Sequence, residues 1–343
     1  MKNTDQMIAW LQKKAFSRCI IITDRIVEKR YGLSLQKKLK KAGCPTILIS
    51  FSSGEQYKIQ RTKEKIEKTL FSNQCDRQSI ILALGGGVVG DMAGFVAATY
   101  LRGIPYIHIP TTLLAMIDSS IGGKTAINTA YGKNTIGCMH YPVATVRDIS
   151  FLDTLPKKEI LNGLIEAIKI FLTHDALSFR YVEKHLDHLF EPHCKNLSFI
   201  IKRAVCIKER VVSHDAESKH ERLLLNFGHT IGHALEKYSN YMVSHGMAVG
   251  YGILAESAIS MHMGLLSLEK YERIKNLLSR VGLSREHFKK WDVNQFMLYT
   301  KHDKKNKEQK THYVLLSDIG KAYAKHNVLT HAVSDQTVKK ALV

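Results

Sequence analysis

Four side chains between residues 166 and 245 have the types and spacing of a metal or acid–base centre. In Asn226-Phe227-Gly228-His229-Thr230-Ile231-Gly232-His233 two histidines stand four residues apart. On a helix that spacing puts both imidazoles on one face, an arrangement that suits a divalent cation. Ser244-His245-Gly246 adds a third histidine at the start of a further helical segment, and Glu166 is an acid amid an otherwise apolar helix face. Periodicity alone nominates His229 and His233 together as ligands. Two glycines flank them, however, and a tight turn there would aim the rings differently. With 17 histidines in the chain, chance pairs are expected, and the plain alternative for Glu166 is a partner for a lysine.

A second group suits anions. Between Leu82 and Gly137 lie Gly85-Gly86-Gly87-Val88-Val89-Gly90-Asp91, Pro110-Thr111-Thr112, Asp118-Ser119-Ser120-Ile121-Gly122-Gly123-Lys124 and Gly132-Lys133-Asn134. Glycine turns let backbone N–H groups approach an anion and the lysines supply charge, so the stretch reads as phosphate-handling. Its spacing is neither that of a P-loop nor that of GxGxxG.

The elements that must carry these groups change character along the chain. Ser17 to Asp24, Thr46 to Phe51 and Ile80 to Leu84 are short strand-like runs, separated by helical spacing from Val27 to Ala42 and up to Leu70. A further helix is expected from Asp91 to Tyr100. Such alternation predicts an open α/β sheet that binds ligands at the carboxyl ends of its strands. A nucleotide cofactor fits, because Asp24 and the glycine turn both follow apolar strands. After about Ser150 the spacing is helical: Lys157–Leu172, Ser178–Leu189, Leu197–Val212, Leu223–Tyr238, Ala248–Met263 and Leu268–Val281. The expected fold is therefore a Rossmann-like α/β domain over residues 1–150 and a mostly α-helical domain over 151–343.

With 343 residues the chain is long for one domain and comfortable for two. Neither a secretory leader nor a spanning segment is recognisable, so a cytoplasmic protein without a membrane role is expected. Six cysteines without CxxC spacing point to reduced, mostly buried thiols. A net charge of +19 raises the question of nucleic acid, but the lysines are dispersed and no aromatic-basic module accompanies them. A solvated basic surface that helps attract an acidic substrate is the preferred reading, and no nucleic-acid partner is expected.

Several long blocks, in order, resemble the 3-dehydroquinate synthase family. They are Gly85 to Asp91, Tyr100-Leu101-Arg102-Gly103, Pro110 to Lys124, Gly132-Lys133-Asn134, Gly163 to Lys169, Leu225 to Ala234 and His302-Asp303-Lys304-Lys305. The resemblance implies a two-domain homodimer of the shikimate pathway that uses NAD and a divalent metal, zinc by preference with cobalt as the alternative. Its reaction would convert 3-deoxy-D-arabino-heptulosonate 7-phosphate, a phosphorylated sugar acid, to 3-dehydroquinate and phosphate. Transient oxidation by NAD, phosphate elimination, reduction, ring opening and intramolecular aldol closure make up the sequence, with the substrate's phosphate serving as a base.

By this resemblance Glu166, His229 and His245 hold the metal, and His233 turns to the substrate side, against the periodicity argument. Substrate would be met by Arg102, Asp118, Lys124, Asn134, Lys169, Lys208, Arg222, Asn226 and a lysine of the Asp303-Lys304-Lys305 turn, taken as Lys304. For NAD the pattern points to Asp24, Glu55, Lys58, Gly86, Gly87, Asp91, Thr111, Thr112, Lys124, Lys133 and Thr154. Arg222 and Asn226 precede His229 by seven and three residues, so one continuous helix would present all three on a side.

Three departures from the family pattern stand out: the segment Asp215 to Arg222, Met247 after His245-Gly246, and Ile26 two residues after Asp24. All three expected metal ligands are retained, which favours a divergent active enzyme. The alternatives are another sugar-phosphate cyclase and a metal-dependent dehydrogenase of the glycerol type. Lys208 and Arg222 speak for a carboxylate-bearing substrate, and Lys124, Lys133 and Lys169 speak for a phosphate.

Overall fold

The computed structural model describes residues 1, 3–191, 194–215, 220–301 and 311–342. It divides into two compact units, Met1–Leu155 and Pro156–Val343.

The first unit contains α1 (Thr4–Lys14), β1 (Cys19–Asp24), the single turn α2 (Arg25–Val27), α3 (Leu33–Lys41), β2 (Thr46–Phe51), α4 (Gln60–Ser72), β3 (Ile80–Gly85), α5 (Gly87–Thr99), β4 (Tyr106–Pro110), β5 (Lys124–Thr129), β6 (Gly132–Met139) and β7 (Ala144–Thr145). Five strands form one parallel sheet in the order β2-β1-β3-β4-β7. Ile20 to Ile22 and Ile80 to Leu84 are fully buried, as continuous apolar strands covered on both faces must be. From β1 the order runs outward to β2 on one side and to β3 and β4 on the other. The carboxyl ends of β1 and β3 therefore border the switch point at which open α/β sheets take ligands. Asp24 ends one strand and Gly85 the other.

The glycine-rich turn is shorter than the sequence implies: α5 begins at Gly87, with Gly86 as its N-cap, rather than at Asp91. Lys124 and Lys133 lie on β5 and β6, an antiparallel hairpin running from Lys124↔Met139 to Thr129↔Gly132. That hairpin carries no clear apolar alternation, so sequence patterning passes over it. Of the six cysteines only Cys19, Cys44 and Cys75 are buried; Cys138 and Cys206 are exposed and Cys194 is intermediate.

The second unit is mostly helical, with α6 (Lys157–His174), α7 (Ala176–His185), α8 (Lys195–His214), α9 (His229–Tyr238), α10 (His245–His262), α11 (Leu268–Arg280), α12 (Val293–Lys301) and α13 (Asp335–Leu342). Four short strands, β8 (His312–Tyr313), β9 (Leu316–Asp318), β10 (Lys321–Ala322) and β11 (His331–Ala332), complete it. α10 is apolar and buried from Ala248 to Ser260, which makes it the central helix against which α6, α9, α11 and α13 pack. Leu223–Tyr238 is not one helix. Glu221–Asn226 is a 3-10 segment, and Gly228 at φ +75° breaks the chain before α9. Arg222 and Asn226 thus do not share a helical face with His229, and the spacing argument for them fails. Among the described residues no helix is long and apolar enough to cross a membrane.

Candidate active site

In the helical unit, three elements converge on one point. α6 contributes Glu166, α9 contributes His229 and the first residue of α10 is His245. The donor atoms of these three residues lie within 4.8 Å of one another. Glu166 is fully buried, and its Oε1 accepts no hydrogen bond among the described residues. That oxygen stands 3.7 Å from His229 Nε2 and 3.6 Å from His245 Nε2. Both separations are close to the roughly 3.4 Å edge of a zinc tetrahedron with ligands about 2.1 Å from the ion. A buried carboxylate oxygen lacking a donor, faced by two ring nitrogens, is a donor set that a divalent cation would complete.

The opposite ring nitrogens are already engaged. His229 Nδ1 lies 3.2 Å from the Phe227 carbonyl oxygen and His245 Nδ1 lies 3.3 Å from Glu236 Oε2. With Nδ1–H donated to those acceptors, each Nε2 keeps its lone pair toward Glu166. Glu166 Oε2 meanwhile accepts from the Lys169 ammonium one turn along α6.

Backbone contact between α9 and α10 makes this convergence possible. A Cβ on Gly252 would stand 1.8 Å from the Gly228 carbonyl oxygen, and one on Gly228 would stand 2.8 Å from the Val249 carbonyl oxygen. Glu256, fully buried on α10, accepts the Gly228 N–H through Oε2 at 2.8 Å and so ties down the entry to α9.

His233 does not join the first donor set. Its ring lies with Glu236 and His245 in a second group of three whose donors also fall within 4.8 Å of one another. Sequence patterning does not single out Glu236. The signal was present, because Glu236 follows His229 by seven residues and His233 by three, on the same helical face. Lys169, Lys208 and Arg222 are buried cations of this unit, 2, 7 and 5 % exposed. Asp215 Oδ2 accepts the backbone N–H groups of His220 and Arg222 and so shapes the segment that carries Arg222. Lys304, the Asp303-Lys304-Lys305 turn and the divergent residues 216–219 lie outside the described residues.

In the α/β unit Asp24, Gly86, Gly87, Thr111 and Thr112 lie at or just after the carboxyl ends of β1, β3 and β4, whereas Arg102 follows the far end of α5, four residues before β4 begins. Asp24 Oδ1 accepts from the Ile26 and Val27 N–H groups and from the Ser53 hydroxyl, which shapes the loop after β1. The Ile26 side chain is exposed, so only its backbone serves this loop. Gly86 and Gly87 open α5 beside Thr112 and Ser119. Thr111 N–H donates to the Gly85 carbonyl, and Thr112 Oγ1 accepts the Ala115 N–H.

Lys58 is buried and bonds both Asp91 Oδ2 and Asn134 Oδ1. Desolvation pushes the Asp91 carboxyl above the usual carboxylate range, although the Lys58 ammonium pulls it the other way. Asn134 takes a left-handed backbone at φ 53°, and its N–H donates to Asn128 Oδ1. Asn128 Nδ2 in turn donates to Glu55 Oε1 at 2.7 Å, so a residue that the motifs did not nominate links Glu55 to the Lys58 cluster. Thr154 is held by Arg30 and Tyr31. Asp118 lies in the π-helical turn Ala115–Ser119, and Lys133 is half-buried on β6. Arg102 and Lys124 are exposed.

Residues 48–162 match the family profile of the 3-dehydroquinate synthase N-terminal domain, and residues 163–306 match the C-terminal one. A 3-dehydroquinate synthase of Caldanaerobacter subterraneus subsp. tengcongensis is 40% identical over 306 residues, 89% of this chain and 86% of the relative. The chain belongs to the 3-dehydroquinate synthase family.

Solved relatives carry the likeness into three dimensions. A 2-deoxy-scyllo-inosose synthase complexed with carbaglucose-6-phosphate, NAD+ and Co2+ is 27% identical at a TM-score of 0.90, covering 99% of this chain and 94% of its own. A 2-epi-5-epi-valiolone synthase from Streptomyces hygroscopicus subsp. jinggangensis 5008, with NAD+ and Zn2+ bound, is 28% identical at a TM-score of 0.85, covering 96% and 91%.

Proposed function

We propose that the protein is a shikimate-pathway 3-dehydroquinate synthase, acting as a cytoplasmic homodimer on 3-deoxy-D-arabino-heptulosonate 7-phosphate with NAD and zinc. The observation that carries this reading is the donor set Glu166 Oε1, His229 Nε2 and His245 Nε2 in a chain of that family. Three protein ligands leave a position for substrate oxygens, as catalytic sites require.

Bound there, zinc would supply Lewis acidity toward a substrate hydroxyl, and NAD at the switch point would supply a reversible hydride acceptor. The protein's own residues do the rest. Glu166, His229 and His245 orient the reacting diol. Lys208 and Arg222, with Asn226 and Lys304, bind the carboxylate and its neighbouring oxygens. Arg102, Lys124, Asn134 and Lys169 bind the phosphate, Asp118 orients a hydroxyl, and His233 orients the substrate rather than the ion. Asp24, Glu55, Lys58, Gly86, Gly87, Asp91, Thr111, Thr112, Lys133 and Thr154 hold the dinucleotide, with Lys124 reaching both ligands. Phosphate elimination needs a base beside the carbon next to the new ketone, a role the departing phosphate itself can fill.

Buried cations separate this reading from that of a cyclase for a neutral sugar phosphate. Lys208→Met is expected to lower kcat/KM for the heptulosonate phosphate by about 10–100-fold, the loss of one charge-assisted contact. Unaltered protein that cyclises glucose 6-phosphate in preference to the heptulosonate phosphate would overturn the substrate assignment.

A further inference from the structure

The second donor group, His233, Glu236 and His245, shares its last member with the metal set and calls for a separate account. Glu236 sits on the face of α9 that carries His229 and His233, and it is 5 % exposed. Its Oε2 lies 3.3 Å from His245 Nδ1, while Nε2 of the same ring faces Glu166. His229 has the same arrangement, with the Phe227 carbonyl in the carboxylate's place. The two imidazoles are thus each gripped at Nδ1 from behind and presented at Nε2 toward one carboxylate oxygen.

We propose that Glu236 is a positioning residue for His245: its carboxylate accepts the Nδ1–H, fixes the tautomer that leaves Nε2 unprotonated, and holds the ring at the metal site. This rests on the reading of Glu166, His229 and His245 as metal ligands. The physical need differs between the two histidines. His229 is built into a helix start whose own backbone supplies the acceptor. His245 follows a surface turn, and its side chain is 34% exposed, so water would compete for either ring nitrogen. A buried carboxylate settles that competition and makes the ligating nitrogen more electron-rich.

The test begins with metal-free protein labelled with 15N-histidine, in which long-range proton–nitrogen correlations read each ring's tautomer. His245 is assigned by the signal missing from His245→Asn. Unaltered protein is expected to show His245 protonated at Nδ1; protonation at Nε2 instead would overturn the proposal without any Glu236 variant. Glu236→Gln can offer an amide N–H to Nδ1 and is expected to move the proton toward Nε2. It should weaken zinc binding, measured against a competing chelator, by about 10–100-fold. Glu236→Asp, which keeps the charge, should recover part of that loss. A merely structural carboxylate would lower the melting temperature of the metal-free protein and leave tautomer and zinc affinity alone.

His229→Ala is the control for the underlying assignment. Undiminished zinc binding by His229→Ala would mean that the ligand set itself is wrong. Zinc lost in His229→Ala but retained at full affinity in Glu236→Gln would reject the positioning role alone. Two zinc ions per chain, of which Glu236→Gln loses one and keeps the other at unchanged affinity, would also overturn the proposal by making Glu236 a ligand.

Discussion

Glu166 serves two partners with one carboxylate, and most residue-scale consequences follow from that division. Oε2 neutralises the Lys169 ammonium, 2 % exposed, and Oε1 is left to the imidazoles. Replacing Glu166 by Ala strands a buried cation, which costs about 3–5 kcal/mol for a broken buried pair. Urea denaturation of the metal-free protein should show that loss as a lowered midpoint. His245→Ala should remove metal and activity together, whereas His233→Ala should keep its metal, as metal analysis of the purified proteins would report. Equal metal loss in both would restore the pairing that periodicity suggests. Periodicity shows the i, i+4 spacing but not the approach of Glu166 and His245 to His229, which only the family resemblance implies, because Gly228 and the turn before α10 set the ring directions. No local sequence pattern encodes a meeting between α6, α9 and α10.

A second residue-scale prediction concerns acid. Burial, with Arg147 nearby, pushes His108 down to about 4. Above its ordinary value of about 6.5 both folded and unfolded chains hold it neutral, and it contributes no pH dependence. As pH falls from about 6.5 to 4 only the unfolded chain takes up the proton, so stability drops by about 1.4 kcal/mol per unit and levels off below. His108→Gln should flatten that part of the stability–pH curve, leaving the contributions of His174 and His262, which burial also lowers. An unchanged slope would mean that His108 is solvated.

At the scale of elements, the centre depends on how closely α9 meets α10. A methyl group at Gly252 cannot coexist with the Gly228 carbonyl oxygen at 1.8 Å, so Gly252→Ala must drive the two helices apart. Overpacking of this kind costs about 1–3 kcal/mol. The variant should melt earlier and bind zinc more weakly even though it touches no ligand; unchanged zinc affinity would show that the helices can slide without moving the rings. The elements themselves were legible in proportion to their burial. β1 and β3 announce themselves as unbroken apolar runs, and α6, α8 and α11 by their amphipathic spacing. The break at Phe227–Gly228 and the early start of α5 escaped, because glycine signals a turn and a helix end equally well. The β5–β6 hairpin escaped because one of the two buried sites of β5 is the polar Thr125, and β6 has only half-buried and exposed sites.

For the whole molecule, the two compact units set the expectation. Units with separate cores unfold as separate transitions unless their interface is large. Where calorimetry resolves the α/β unit from the helical unit, each transition reports the ligand of its own unit. A ligand at 100 times its Kd adds about 2.7 kcal/mol to whichever unit holds it. NAD should raise the transition of Met1–Leu155 and zinc that of Pro156–Val343; the same shift from either ligand would contradict the assignment of one to each. The net charge of +19 bears on encounter rather than fold, and kcat/KM for a multiply anionic substrate should fall as salt is raised. The central claim is tested most directly by supplying purified, zinc-loaded protein with the heptulosonate phosphate and a trace of NAD, then measuring inorganic phosphate and NADH together. Many phosphates released per NAD, no net NADH, and complete dependence on the metal are expected. Phosphate release that ignores a chelator, or NADH accumulating one for one with substrate consumed, would contradict it.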